Sequence, residues 1–354
     1  MSGNNLFMPG RLCLFGEHSD WAGAFRARDP HLTPGYCLAV GTTQGIHARV
    51  ARDAEMLNVD SHGVDGVVTS FSAEMLPSAL NAAAATGDFY SYCAGVAAYM
   101  REHYRVGGIT IQTKAMDLPI KKGLSSSAAI CVLTARAFNC LYALGLSVRE
   151  EMECAYLGEL KTGSQCGRMD QVCAYGQTPI FLTFDGEQMS VESLSPRATM
   201  HFVIVDLQRG KDTRKILRDL NAAFAADSAI GAGVRDALGA QNQRILTQAR
   251  CAIADGDAQT IGALMSEAQA IFDQQVAPAC PDELTAPQLH AVLQHPLVRE
   301  LSWGGKGVGS QGDGSAQLVA RDAAAQQQLI RELPSLLGVH CLELNIVANG
   351  GQSK

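Results

Sequence analysis

No apolar run in this chain of 354 residues reaches the roughly 20 residues that a membrane-spanning helix needs. The N-terminus, Met1-Ser-Gly-Asn-Asn5, lacks a basic segment followed by an apolar core, so no secretory signal is expected. Charge is sparse, at 18% of residues, and the balance is −7. With no basic run and no basic–aromatic stripe, no nucleic-acid partner is expected. The eleven cysteines are odd in number and irregular in spacing, and several sit inside apolar runs. No Cys-x2-Cys or paired-His spacing offers a zinc site, and reduced core thiols in a cytoplasmic protein are the expectation. A Gly-x4-Gly-Lys-Ser/Thr motif is also missing, which removes the P-loop NTPases.

What remains is globular. Hydrophobic residues make up 47%, and the length suits two domains with ample core. Short apolar or alternating runs predict strands over 12–15, 35–50, 57–60, 67–71, 109–113, 180–184, 201–206, 316–320 and 340–346. Helical patterns cover 90–104, 128–144, 149–160, 213–225, 228–238, 241–254, 259–272 and 323–336, and 128–144 is apolar enough to be buried. A Gly-rich loop is expected over 304–314, and a domain boundary near 195–210. Helices and strands do not alternate strictly, which favours α+β layers over a doubly wound sheet.

Four segments carry polar chemistry. Lys122-Gly-Leu-Ser-Ser-Ser-Ala-Ala129 runs into Ile130–Leu133, a Gly-led, hydroxyl-rich start to a helix. The first N–H groups of a helix lack internal partners and carry partial positive charge, so phosphate suits them. Three serines exceed what an N-cap needs. Directly after the first strand, Glu17, His18 and Asp20 crowd a turn. They suit several hydroxyl groups, as on a sugar, and they suit an ordinary turn equally. Glu159 stands near the end of an amphipathic helix, and Asp170 follows between Met169 and Gln171 in a Gly-containing loop. Phosphoryl transfer needs a metal at the phosphates and a group that orients or deprotonates the nucleophile. Mg²⁺ takes oxygen ligands and few protein groups, so one Glu and one Ser suffice. The fourth segment, Gly304-Gly-Lys-Gly-Val-Gly-Ser-Gln-Gly-Asp-Gly-Ser315, implies close backbone approach or a mobile lid.

Together these segments resemble the GHMP small-molecule kinases, with matching motifs at the start, middle and end of the chain. Pro9-Gly-Arg…Gly16-Glu-His-Ser-Asp20 is nearest the galactokinase signature, where Thr commonly stands at Ser19 and Tyr-Asn at Trp21-Ala22. Phe89-Tyr-Ser-Tyr-Cys-Ala-Gly95 resembles the aromatic segment of the galactokinase nucleotide pocket. The resemblance implies a two-domain α+β GHMP kinase fold with the active site in the interdomain cleft. It implies an ATP- and sugar-binding domain over 1–200 and a C-terminal domain over 201–354. It also implies ATP and Mg²⁺, a small-molecule sugar substrate, and a monomer or homodimer. By resemblance, Asp170 is the catalytic aspartate and Arg11 steadies both it and the transferring phosphoryl group. Ser127 and Glu159 hold Mg²⁺, and Glu17, His18 and Asp20 bind sugar hydroxyls. Lys122, Gly123, Leu124, Ser125, Ser126, Ser127 and Ala128 bind ATP. An Asp170 carboxylate close to Arg11 is expected to stay ionised and to receive or orient the hydroxyl proton.

Three departures flank the implied site. Lys121 replaces a glycine of the phosphate loop, residues 25–33 lengthen the segment after Ala24, and Lys306 with Gln311-Gly-Asp313 interrupts the final glycine run. The expected activity is phosphorylation of a sugar or sugar derivative other than plain galactose, at the anomeric hydroxyl. Arg26, Arg28 and His31 either recognise an anionic substrate group or form a solvated loop. The alternatives are a mevalonate-type or other alcohol kinase, and a catalytically silent sugar- and ATP-binding sensor.

Overall fold

The computed structural model describes residues 3–62, 67–118, 123–164 and 166–348. The chain forms two compact units. One holds Met1–Arg11 and Gly41–Gln177, the other Leu12–Val40 and Thr178–Lys354. A single boundary near residue 200 does not describe this division. Strands β1 (Asn4–Phe15) and β2 (Gly35–Asp53) each contribute residues to both units.

In the first unit, β3 (Met56–His62), β4 (Val68–Glu74) and β5 (Gly108–Met116) join the later part of β2 in the order β4-β3-β5-β2. The β3–β5 pair is parallel and its neighbours are antiparallel. Helices Pro77–Ala84, Phe89–His103, Ser126–Tyr142 and Val148–Leu160 pack against one another. As its apolar run predicts, helix 126–142 is buried over Ala128–Ala135. A glycine pair brings two of these helices together: a Cβ on Gly158 would lie 2.5 Å from Val96 Cα, and one on Gly95 would lie 2.4 Å from Gly158 O. That contact fixes the helix turn bearing Glu159.

In the second unit, the hairpin of β6 (Ile180–Asp185) and β7 (Gln188–Ser193) pairs through β6 with Gly35–Ala39, which is why residues beyond 177 group here. A separate antiparallel sheet contains β8 (Met200–Asp206), β9 (Ser302–Gly307), β10 (Ser315–Ala320) and β11 (His340–Ile346), in the order β11-β8-β10-β9. Its core gathers Val203, Val205, Leu289, Leu318 and Leu329.

The expected 304–314 loop is a strand in its first half: Gly304–Gly307 is part of β9 and pairs with β10. Glycine is rare in strands, yet here it is required. A Cβ on Gly304 would lie 2.1 Å from Gly262 O of helix Ala258–Ile271, so backbone packs on backbone. Three short helices, Pro281–Leu284, Pro287–Gln294 and Pro296–Leu301, each open on a proline at the first helical position.

Candidate functional site

In the first unit the chemistry gathers at the head of helix 126–142. Gly10 lets β1 run close to the preceding loop, because a Cβ there would lie 2.7 Å from Leu124 O. The next residue, Arg11, is buried and tied to that loop: its backbone N–H donates to Leu124 O at 3.0 Å and its Nη1 to Gly123 O at 3.0 Å. Its Nη2 forms an ion pair with Asp170 Oδ1. Ser125 Oγ donates to the same oxygen at 2.9 Å. The Arg11 side chain is 5% exposed and that of Asp170 24%, so the carboxylate is the member of the pair that meets solvent. Asp170 lies in the first turn of a short 3-10 helix, Asp170–Tyr175, rather than in a loop.

Before this helix, Gly123 and Ser125 adopt left-handed backbone conformations, with φ 77° and 53°. For a serine this conformation is costly, and it places Ser125 as an N-cap whose side chain does not cap. Its hydroxyl is directed to Asp170 instead. The helix-start N–H groups of Ser126, Ser127 and Ala128 therefore have neither an intrahelical acceptor nor a capping side chain. Leu124 and Ala128 are buried, and Ser126 and Ser127 are partly exposed. Lys121 and Lys122 lie outside the described residues.

Glu159 is 1% exposed, not solvated as a helix-surface glutamate would be. Burial, reinforced by the Asp170 charge, pushes its pKa up from 4.5 to about 7, while hydrogen bonds from Ser127, Gln171 and Cys166 pull it down. Gln171 Nε2 donates to Glu159 Oε2 at 2.8 Å, and the buried Gln171 Oε1 has no partner. The Ser127 hydroxyl, the Glu159 carboxylate and that orphan carbonyl make an all-oxygen donor set, which suits Mg²⁺. Among the described residues no cluster of three or more His, Cys, Asp or Glu side chains could hold a metal. Motif reading does not single out Gln171, the hydrogen-bond partner of Glu159; its sequence signal is its place directly after Asp170.

In the second unit, Gly16 (φ 87°) makes the turn after β1, and a Cβ there would lie 2.0 Å from Tyr36 O. Glu17 is buried and forms an ion pair with buried Lys306, whose Nζ also donates to Gly307 O at 2.9 Å. Glu17, Lys306 and Gln311 line a cavity of about 50 Å³ walled by Leu238, Ile245 and Phe272. Buried His18 has a left-handed backbone (φ 70°). Burial, with Lys211 and Lys306 nearby, lowers its pKa from 6.5 to about 3, so it is neutral. Asp20 Oδ1 accepts from the Trp21 backbone N–H at 2.9 Å. Arg26 is not available to an anion: its guanidinium pairs with Asp185 and donates to the carbonyls of Pro30 and Leu32. Arg28 stacks over Phe25, 5.9 Å from the ring centre.

Residues 91–177 match the GHMP kinases N terminal domain model. Over 309 residues the chain is 25% identical to a galactokinase of Roseiflexus sp. (strain RS-1), a match covering 77% of this chain and 74% of that protein. Its fold is similar to Methanococcus jannaschii mevalonate kinase, with TM-score 0.74, 15% identity, and coverage of 98% of this chain and 99% of the other. Lactococcus lactis galactokinase complexed with galactose gives TM-score 0.71 and 16% identity over 98% and 94% of the two chains. The comparisons thus support a galactokinase-like GHMP kinase with the mixed α/β fold of its structural neighbours, and they indicate a phosphotransferase with an alcohol group as acceptor.

Proposed function

We propose that this kinase transfers the γ-phosphoryl group of ATP to a hydroxyl, the anomeric one, of a sugar or sugar derivative, with Asp170 as catalytic aspartate. The observation that carries the reading is the Arg11–Asp170–Ser125 cluster beside an uncapped helix start. Arg11 and Ser125 both engage Oδ1. The carboxylate, the member of the pair that meets solvent, orients or receives the acceptor hydroxyl proton. The helix-start N–H groups of 126–128, with Gly123–Ser125, cradle the polyphosphate. Ser127 and Glu159 hold Mg²⁺, which offsets charge on the β and γ phosphates. Stacking of Phe71 on Tyr90, with ring centres 5.3 Å apart, supports an aromatic nucleotide contact near the start of helix Phe89–His103.

For the acceptor, Glu17, His18 and Asp20 share one turn, and Gly16 sets its direction. Their donors and acceptors match a polyhydroxylated ligand better than mevalonate, which has few hydroxyls. The test is an ADP-release assay over a sugar panel that includes mevalonate, with NMR of the product. Asp170→Asn is expected to abolish turnover and leave ATP binding largely intact. Undiminished turnover in that variant removes Asp170 from the mechanism. Turnover of mevalonate alone removes the sugar. ATP and sugar binding without ADP release favours a silent sensor.

A further inference from the structure

His18 is 5% exposed and precedes the short helix Ser19–Ala24 in a left-handed backbone conformation that side chains rarely adopt. Its neutral imidazole has one donor nitrogen and one acceptor nitrogen. Trp21 Nε1–H lies 3.1 Å from His18 Nδ1. An indole nitrogen only donates, so Nδ1 is the acceptor and the ring proton sits on Nε2. His18 Nε2 is buried and has no hydrogen-bond partner among the described residues. The indole that imposes this tautomer is itself held edge-on between Phe25 and Phe224, with ring centres at 6.3 and 5.6 Å. Phe272 stacks on the imidazole, 6.4 Å between centres.

We propose that Trp21 is a positioning residue: it locks His18 in the Nε2–H form, so that His18 donates a hydrogen bond to an oxygen of the phosphoryl acceptor. A buried N–H without a partner is costly, and an oxygen-rich ligand removes that cost on binding. This rests on the sugar-kinase reading and deepens it. It assigns the polarity of one contact: the ligand atom at His18 accepts, as a hydroxyl or ring oxygen of a sugar does. A tyrosine at position 21 could reverse this polarity by accepting from Nδ1–H, whereas tryptophan cannot.

The test uses the full-length protein labelled with ¹⁵N-histidine. In the wild type, NMR is expected to show His18 protonated at Nε2 and bare at Nδ1. A wild-type Nδ1–H tautomer overturns the proposal. Trp21→Phe, which keeps an aromatic ring and removes the donor, is expected to give a tautomer mixture. Its KM for the sugar accepted in the panel should rise about three- to tenfold, the worth of one hydrogen bond, with kcat and the KM for ATP within about twofold. An unchanged sugar KM overturns the proposal. Should Trp21→Phe not fold, His18→Gln is compared with His18→Leu. Glutamine keeps an N–H donor and should hold KM closer to the wild-type value, and equal KM in the two variants overturns the proposal. Absence of ADP release with every sugar defeats the sugar-kinase reading, while the tautomer measurement still decides the Trp21–His18 assignment.

Discussion

Ser125 Oγ lies 2.9 Å from Asp170 Oδ1, the oxygen that Arg11 also engages, although the two residues are 45 apart in sequence. The serine that would ordinarily cap its own helix serves the carboxylate and leaves the helix start open. Replacing Ser125 by Ala removes one of two donors to that oxygen without touching the ion pair. One hydrogen bond to a charged group is worth about 1.5 kcal/mol, so kcat should fall about tenfold while the fold is kept. Steady-state kinetics beside a thermal melt check this. An unchanged kcat would mean that Asp170 is oriented by Arg11 alone.

Glu159 supplies a pH signature. Burial first, and then Asp170, raise its pKa to about 7 in the folded protein against 4.5 ordinarily. Between these values the unfolded chain has lost the proton that the folded protein still binds. Stability therefore falls as pH rises through this window, by up to about 3 kcal/mol. Glu159→Gln removes the ionisation, so its melting temperature should overtake the wild type as pH climbs from 4 to 8. Mg²⁺ requires the ionised form, and its affinity in the presence of ATP should strengthen in the wild type across the same window and stay flat in the variant. Parallel melting curves for the two proteins would refute the assignment.

Much of this was legible beforehand because it is local. The helix after Ser125 follows from its apolar run, and Arg11, Ser127, Glu159 and Asp170 each stand in a motif that the resemblance marks. The pairings were not legible, since they join residues such as Glu17 and Lys306, 289 apart in sequence. Gly304–Gly307 reads as loop in the sequence because glycine has low strand propensity, yet it forms part of β9. The reason for those glycines lies in another segment, helix 258–271, and no local pattern announces it. Asp170 reads as loop in the sequence because a short 3-10 helix leaves little periodicity.

The same glycines give a stability test. A Cβ on Gly304 would sit 2.1 Å from Gly262 O and 2.4 Å from Ser266 Oγ, and φ of 151° is strained for any side chain. Gly304→Ala should destabilise by about 3 kcal/mol or more, the range of strained, overpacked positions. Gly210→Ala, where nothing lies within 4 Å of the added carbon, serves as control and should cost little. Equal denaturation midpoints for the two variants would contradict the close packing of β9 on the helix.

The Glu17–Lys306 pair poses a sharper energetic question. Both side chains are nearly inaccessible, at 6% and 3%. Burying two charges costs several kcal/mol each, which their attraction only roughly repays. Removing one partner is another matter, because it strands a buried charge. Lys306→Met should therefore destabilise by about 3–5 kcal/mol, and Glu17→Gln by a similar amount. The double variant leaves no stranded charge and should be more stable than Lys306→Met alone, with a coupling energy of about 1–3 kcal/mol in a double-mutant cycle. Denaturant melts of the four proteins measure this. Additive losses would mean that the two groups do not sense each other's charge. Glu17 would then have to be held by the cavity wall alone, and Lys306 would no longer explain why a buried carboxylate is tolerated at the turn that carries His18.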